Sequence, residues 1–450
     1  MYIFNAIYTL TGCRTTQPIQ EKGAKASIEL DSQCLSKKWM KWVVSLPLRF
    51  VHGAMNEISK KYYKNIGTVV NSQIYSGNSI NAMQFLFNNN GHILSSKKAI
   101  NVLASHYRDD PDGYFETEDN HVFINSLKEL YPQMNVDRDV LLLTCSKGHV
   151  KHYRNCLENY IKGDALEKLK PLIFRVADEV IDSIDETKVS AQELTETYTV
   201  AVLARLFLDL KGNISDFQKI GEAISLAIDY QFLKKWGSPD ADQKKDYEDA
   251  LEIIRSAIRD SSGEFVESLK GENLSEIQIN AMLMLTYFAG SETTSSALQY
   301  MLWSLGQKPD LQEQIRNDLS TLNDGSGPLD NFINACFKEY TSVPFISRIA
   351  KKDIVIKVNY DNGKVWEYPV AKGESLMAAP LLGGTSIFGI KPQSCPGQWL
   401  AKAEIRRLIL ALLNRYEIES LPKKDKLETI PGFGFLKVEP VDLILRKVDQ

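Results

Sequence analysis

Apolar residues recur at three- and four-residue spacing through Leu166 to Ile184, Ala191 to Leu210 and Tyr247 to Leu269, the period of helices that bury one face. This pattern dominates from about residue 140 to 320 and predicts a helix-rich body. The clearest element runs from Ser275 to Leu305. Ser275 and Gln278 have the spacing of a capping box, a long apolar run follows, and Gly306 marks the end. At about 1.5 Å per residue it would span roughly 45 Å, enough to cross a whole domain. The stretch Lys235 to Lys245, rich in Asp, Lys and Gly, reads as a surface connection. Strand-like runs appear at Thr68 to Tyr75 and Ala82 to Leu86, flanked by helical stretches at Met55 to Tyr63 and Ser96 to Ser105. Asp353 to Asn359 and Lys364 to Val370 flank the hairpin signal Asp361-Asn362-Gly363, and a final long helix is expected over Gln398 to Tyr416. The expected fold class is therefore mainly α with small β-sheets (α+β).

Composition narrows the partners. With 44% hydrophobic and 24% charged residues and a net charge of -4, the chain has ordinary globular values and no basic excess for nucleic acid. The six cysteines, at 13, 34, 145, 156, 336 and 395, form no C-x-x-C pair, which argues against a zinc cluster or a secreted disulfide framework and for reduced, intracellular thiols. Residues 1–45 are expected to form a leader, flexible or membrane-associated, ahead of a single domain over 46–450. Tyr2 to Cys13 is too short to span a bilayer and lacks a basic n-region. Trp39 to Met55 is expected to pack on the domain in preference to lying on a membrane surface, so an intracellular, cytoplasmic protein is the expected setting, with peripheral membrane association as the alternative.

Two places depart from plain core chemistry. Within the longest helix, Ala289-Gly290-Ser291-Glu292-Thr293-Thr294 interrupts the apolar run. A glycine there costs roughly 1 kcal/mol relative to alanine, and a buried, unpartnered glutamate costs more. Small Ala289 and Gly290 would leave room beside a flat cofactor, with Thr293 and Glu292 supplying a hydroxyl and a carboxylate. Taken alone, the motif is equally compatible with a polar turn that touches solvent or another helix. Cys395 lies in Phe388-Gly389-Ile390-Lys391-Pro392-Gln393-Ser394-Cys395-Pro396-Gly397, just before the last helix. Free N–H groups and the helix dipole there favour a thiolate, and Gly397 relieves crowding beneath a planar ligand.

These two segments resemble the motifs of the cytochrome P-450 superfamily. Residues 289–294 match its A/G-G-x-D/E-T-T/S, and the cysteine segment is similar to its F-G-x-G-x-R-x-C-x-G, opened by Phe388 and followed by Leu400, Ala401 and Glu404 at its L-A-x-x-E. The likeness runs from about residue 50 to the end and is strongest beyond 270. It implies the family's triangular helical fold around the central helix 275–305, with haem b (iron protoporphyrin IX) as cofactor and Cys395 as the metal ligand. It also implies Glu292 and Thr293 as the oxygen-activating pair. Arg348, in Val343-Pro344-Phe345-Ile346-Ser347-Arg348, and Arg154, in the segment from Thr144, match the arginines that pair with the haem propionates.

The chain also departs from that pattern. The family's E-x-x-R falls at Ala335 and Lys338, and only Ser375 to Ile387 stands where a longer meander is usual. Lys391 replaces a glycine and Gln393 an arginine of the cysteine loop. A concerted loss of a buried ionic network can be nearly neutral, whereas loss of one member strands a charge. Lys338 is long enough to carry its ammonium to water beside Glu339. Lys391, Lys402, Arg406 and Arg407 are the basic residues expected to face an electron donor.

The resemblance implies a haem-thiolate monooxygenase that inserts one oxygen atom from O2 into an apolar organic substrate, with electrons from a ferredoxin or a flavoprotein reductase. Two alternatives fit the altered proximal side: a peroxide-driven or rearranging haem-thiolate enzyme, and a degenerate haem-binding or ligand-binding protein without turnover.

Overall fold

Ser275 begins the longest helix as the pattern predicts: its backbone N–H donates to the Gln278 side chain at 2.8 Å, and a capping box closes the first turn. The computed structural model describes residues 92–94, 115–116, 122–145, 147–236, 239–318, 327–343, 346–359, 365–373, 375–378, 387–389, 394–427, 429–431 and 436–448. The elements expected before residue 92 and over Ser96 to Ser105, the leader, Trp39 to Met55, the hairpin turn at 361–363, and Lys391 and Gln393 lie outside the described residues.

The helices in chain order are α1 (Val122–Leu130), α2 (Lys147–Ile161), α3 (Asp164–Asp182), α4 (Ala191–Phe207), α5 (Ile214–Trp236), α6 (Ala241–Arg259), α7 (Gly263–Gly271), α8 (Glu276–Leu305), α9 (Pro309–Asn317), α10 (Pro328–Glu339) and α11 (Gln398–Leu413). The run Tyr247 to Leu269 is thus two helices. The break falls at Asp260 to Ser262, where the Ser262 N–H leaves the helix to bond the Leu208 carbonyl. Gly263 follows at φ +91°, and a Cβ there would stand 2.6 Å from that of Asp209. The charge-rich connection is shorter than expected, because α5 continues to Trp236 and Asp240 already caps α6.

Strands β1 (His92–Leu94), β2 (Phe115–Glu116), β4 (Ile346–Ala350) and β7 (Ser375–Ala378) form one sheet in the order β1-β7-β4-β2, with β1 and β7 parallel. The expected hairpin is present as antiparallel β5 (Ile354–Asn359) and β6 (Val365–Val370). A terminal antiparallel sheet joins β3 (Lys188–Ser190), β11 (Asp442–Lys447) and β8 (Tyr416–Leu421), and β9 (Thr429–Pro431) pairs with β10 (Leu436–Val438).

Helices α4 and α8 are apolar on nearly every side and form the centre of the core. They approach closely through small residues. A Cβ on Gly290 would fall 2.9 Å from the Leu203 methyl carbons, and one on Gly221 of α5 would fall 2.7 Å from Val200. Both ends of α8 are tied down. Gln278 donates to the Tyr153 hydroxyl at 2.8 Å. At the other end Ser420 donates to the Trp303 carbonyl at 2.7 Å, while Gln312 bonds Leu305 and both backbone groups of Ile418. Gly306 stops the helix in a right-handed conformation, φ -65°. Its requirement is space: a Cβ would lie 2.7 Å from the Ser420 nitrogen.

Candidate functional site

Along the buried α8, exposure concentrates in one window. Ala289 is exposed, and Gly290, Glu292 and Thr293 are half-buried, while their helical neighbours on both sides are mostly buried. The Thr293 hydroxyl donates back to the Ala289 carbonyl at 2.7 Å, and Ser342 donates to the Thr293 carbonyl at 2.9 Å. Glu292 points elsewhere. Its carboxylate accepts from Ser225 of α5 and forms a 3.1 Å ion pair with Lys437 of β10. The two residues expected to act together are therefore adjacent in sequence but held by different partners.

Gly290 differs from its expected place. The side on which its Cβ would project is filled by Leu203, so the glycine allows α4 and α8 to approach; Ala289 supplies the open surface.

Around Glu292 lies a charged group that the sequence reading missed. Burial raises the carboxyl of Asp229 to about 7, with Glu292 adding to the rise and Lys437 opposing it. Burial also raises Glu196, partly offset by its Gln192 hydrogen bond and Lys437. Burial pulls the Lys437 ammonium down, but Glu292, Glu196 and Asp229 together outweigh it, so its pKa ends above the usual lysine value. The signature of Asp229 is exposed surface on a side chain that its surroundings nevertheless desolvate. The available signal was Lys437 itself, a lone charge within Leu436-Lys437-Val438.

Cys395 has the same signature. It is exposed, yet burial raises its thiol above the ordinary cysteine value. The Gly397 and Gln398 backbone N–H groups at the start of α11, and the Arg154 charge, pull the other way. The expected thiolate-favouring features are present, but desolvation outweighs them. The Cys395 N–H bonds the Phe388 carbonyl at 2.6 Å, and the Phe388 ring packs edge-on against Phe337. Arg154 donates to the Ser394 carbonyl at 2.5 Å and to Glu158 at 2.8 Å, so in this state it braces the cysteine loop. Arg348 lies in β4 opposite Leu376; its side chain is outside the description.

The residues present fit a planar iron cofactor. The exposed Cys395 thiol is a soft donor suited to iron, and a Cβ on Gly397 would stand beside the sulfur, at 3.8 Å. Ala335 and Lys338 are both exposed, so loss of the E-x-x-R pair strands no buried charge. Two basic residues expected to face a partner are otherwise engaged: Arg406 pairs with Asp330 of α10, and Arg407 pairs with Asp178 of α3 at 2.6 Å. Lys402 is exposed, its ammonium 5.6 Å from the Phe388 ring centre.

A largely helical body with small sheets, built around a long central helix and a cysteine loop, defines a class that comparison with known proteins identifies. The cytochrome P-450 family profile matches residues 228–360. Human cytochrome P-450 4F12 is 27% identical over 222 residues, covering 39% of this chain and 41% of the relative. Rat cytochrome P-450 4F6 is 23% identical over 362 residues, covering 66% and 65%. The crystal structure of CalO2 aligns with a TM-score of 0.60 at 14% identity, covering 82% of this chain and 96% of that one. The structure of P-450BioI in complex with hexadec-9Z-enoic acid ligated acyl carrier protein aligns at 0.60 and 16% identity, covering 87% and 100%. In sequence over residues 228–360 and in overall fold the chain is similar to the cytochrome P-450 superfamily, a family that holds haem. It spans 41% and 65% of the length of these two curated relatives. Among the described residues, no helix is long and apolar enough to cross a membrane.

Proposed function

We propose that this chain is a haem-thiolate monooxygenase acting on an apolar organic substrate, with Cys395 as the residue that would hold the iron of haem b. The observation that supports this most directly is the exposed yet desolvated Cys395 thiol at the start of α11, beside the Gly397 and Gln398 N–H groups and Arg154. When bound, the haem supplies oxygen activation, and thiolate donation favours O–O cleavage. The protein's part lies in α8. Ala289 gives a low wall next to the reacting centre, and Thr293 holds a hydroxyl proton near it. Glu292 passes protons inward from the Lys437, Ser225 and Asp229 group when it leaves its ion pair. Arg154 keeps Ser394, and with it Cys395, in register with α11. Arg348 and Arg154 are the arginines that would pair with the haem propionates. Electrons come from a ferredoxin or a flavoprotein reductase, with Lys402 the exposed described cation on α11 for that contact. The protein works inside the cell.

The test is the absorption spectrum of the purified protein, reduced under carbon monoxide. Thiolate ligation gives a red-shifted Soret band, and Cys395→Ala abolishes it. With a reconstituted electron donor, Thr293→Ala uncouples NAD(P)H consumption from product. A haem-free protein after expression with ample haem would overturn the reading, and so would a band that survives Cys395→Ala.

A further inference from the structure

Away from the cysteine loop, three different donor types converge. An imidazole nitrogen of His152, the Cys156 sulfur and a carboxylate oxygen of Glu272 all lie within 4.8 Å of one another. His152 and Cys156 are four residues apart on α2 and so share one face of that helix. Glu272 caps the end of α7, where its N–H bonds the Leu269 carbonyl at 3.2 Å. The sulfur side is buried, the imidazole half-buried and the carboxylate exposed, leaving an entry path from solvent.

The donor set selects the ion. A thiolate excludes magnesium and calcium, which prefer all-oxygen shells, while nitrogen, sulfur and oxygen together suit zinc. Zinc–ligand bonds of about 2.0–2.3 Å place tetrahedral donors roughly 3.5 Å apart. The three atoms therefore need to close by at most about 1.3 Å, which rotation of the exposed Glu272 side chain supplies on the carboxylate side and rotation of the half-buried His152 ring on the α2 side. Three protein ligands leave a fourth position for water.

We propose that His152, Cys156 and Glu272 form a zinc site that clasps α2 to the end of α7. Binding forms bonds from zinc to imidazole nitrogen, thiolate sulfur and carboxylate oxygen, and the thiol proton passes to solvent. Arg154, which braces Ser394 beside Cys395, lies two residues from each α2 donor, so occupancy stiffens the helix that supports the cysteine loop. The site does not depend on the haem reading.

The test is titration of the full-length protein, as isolated and stripped by chelator, with Zn2+ alone by calorimetry, and with Cd2+ alone followed by its thiolate band in ultraviolet difference spectra. One equivalent of Zn2+ and a Cd2+ band lost in Cys156→Ser are expected. His152→Ala and the exposed Glu272→Gln, which spares the core, are expected to weaken Zn2+ binding at least about tenfold. Absence of a one-equivalent Zn2+ site, a cadmium band that survives Cys156→Ser, or equal affinity in all three variants as at an adventitious ion only would overturn the proposal.

Discussion

Lys437 reaches across from β10 to place its ammonium 3.1 Å from the Glu292 carboxylate of α8. One side chain thus joins the terminal hairpin to the acid of the central helix, and Ser225 adds α5 to the same carboxylate. Three elements far apart in sequence meet at one charge.

Removing Lys437 leaves Glu292 with a hydroxyl as its main support. The glutamate side chain is 12% exposed and the lysine 36%, so the pair is partly screened. Lys437→Met should cost about 1–2 kcal/mol, below the several expected for a fully buried pair. Glu292→Gln in that background should recover part of the loss. Urea unfolding of the four proteins in a double-mutant cycle measures this, and strictly additive losses would remove the coupling.

Asp229 sets a pH dependence. Its folded pKa of about 7 lies above the ordinary value of 3.8, so the folded protein holds this proton more tightly than the unfolded chain. The associated stability is fully present below about pH 4 and is lost as pH rises to about 7. Stability measured across that window should fall with pH more steeply in the wild type than in Asp229→Asn. The comparison is needed because Glu196 and Lys437 titrate in the same field.

Gly290→Ala tests the helix contact. The added methyl meets Leu203 at 2.9 Å. Overpacking typically costs about 1–3 kcal/mol, against roughly 1 kcal/mol gained in helix propensity. A net loss of about 1 kcal/mol is expected, and the Leu203→Ala pair should lose less than the two single changes added together. A stability unchanged by Gly290→Ala would show that the contact yields freely.

Arg154→Met tests the brace on the cysteine loop. Arg154 favours the Cys395 thiolate against burial, so its loss should move the Cys395 alkylation profile of haem-free protein to higher pH. Peptide mass spectrometry resolves Cys395 from the buried Cys145, Cys156 and Cys336. An unmoved profile would detach the arginine from the thiol.

The long helix was legible to the residue because its signals are local: the Ser275–Gln278 box, an unbroken apolar run, and Gly306. The hairpin of β5 and β6 and the start of α11 were legible for the same reason. The division between α6 and α7 was not, because it depends on Ser262 finding the carbonyl of Leu208, some fifty residues away. Cys395 could be singled out from its loop, but the balance that raises its thiol depends on how much protein surrounds it. Lys437, Ser225 and Asp229 are unremarkable in sequence and acquire meaning only when hairpin and helices are assembled. Gly290 is ambiguous in sequence because one glycine serves equally well to admit a ligand or a neighbouring helix.

The ties at Tyr153 and at Ser420 and Gln312 make α8 a beam held at both ends. Such a beam cannot slide along its axis, so any yielding falls in its middle turn, where the exposed Ala289 is the least covered position. Amide protons there should exchange sooner than those near either support, and guest molecules would be accommodated by local bowing rather than by displacement of the whole element.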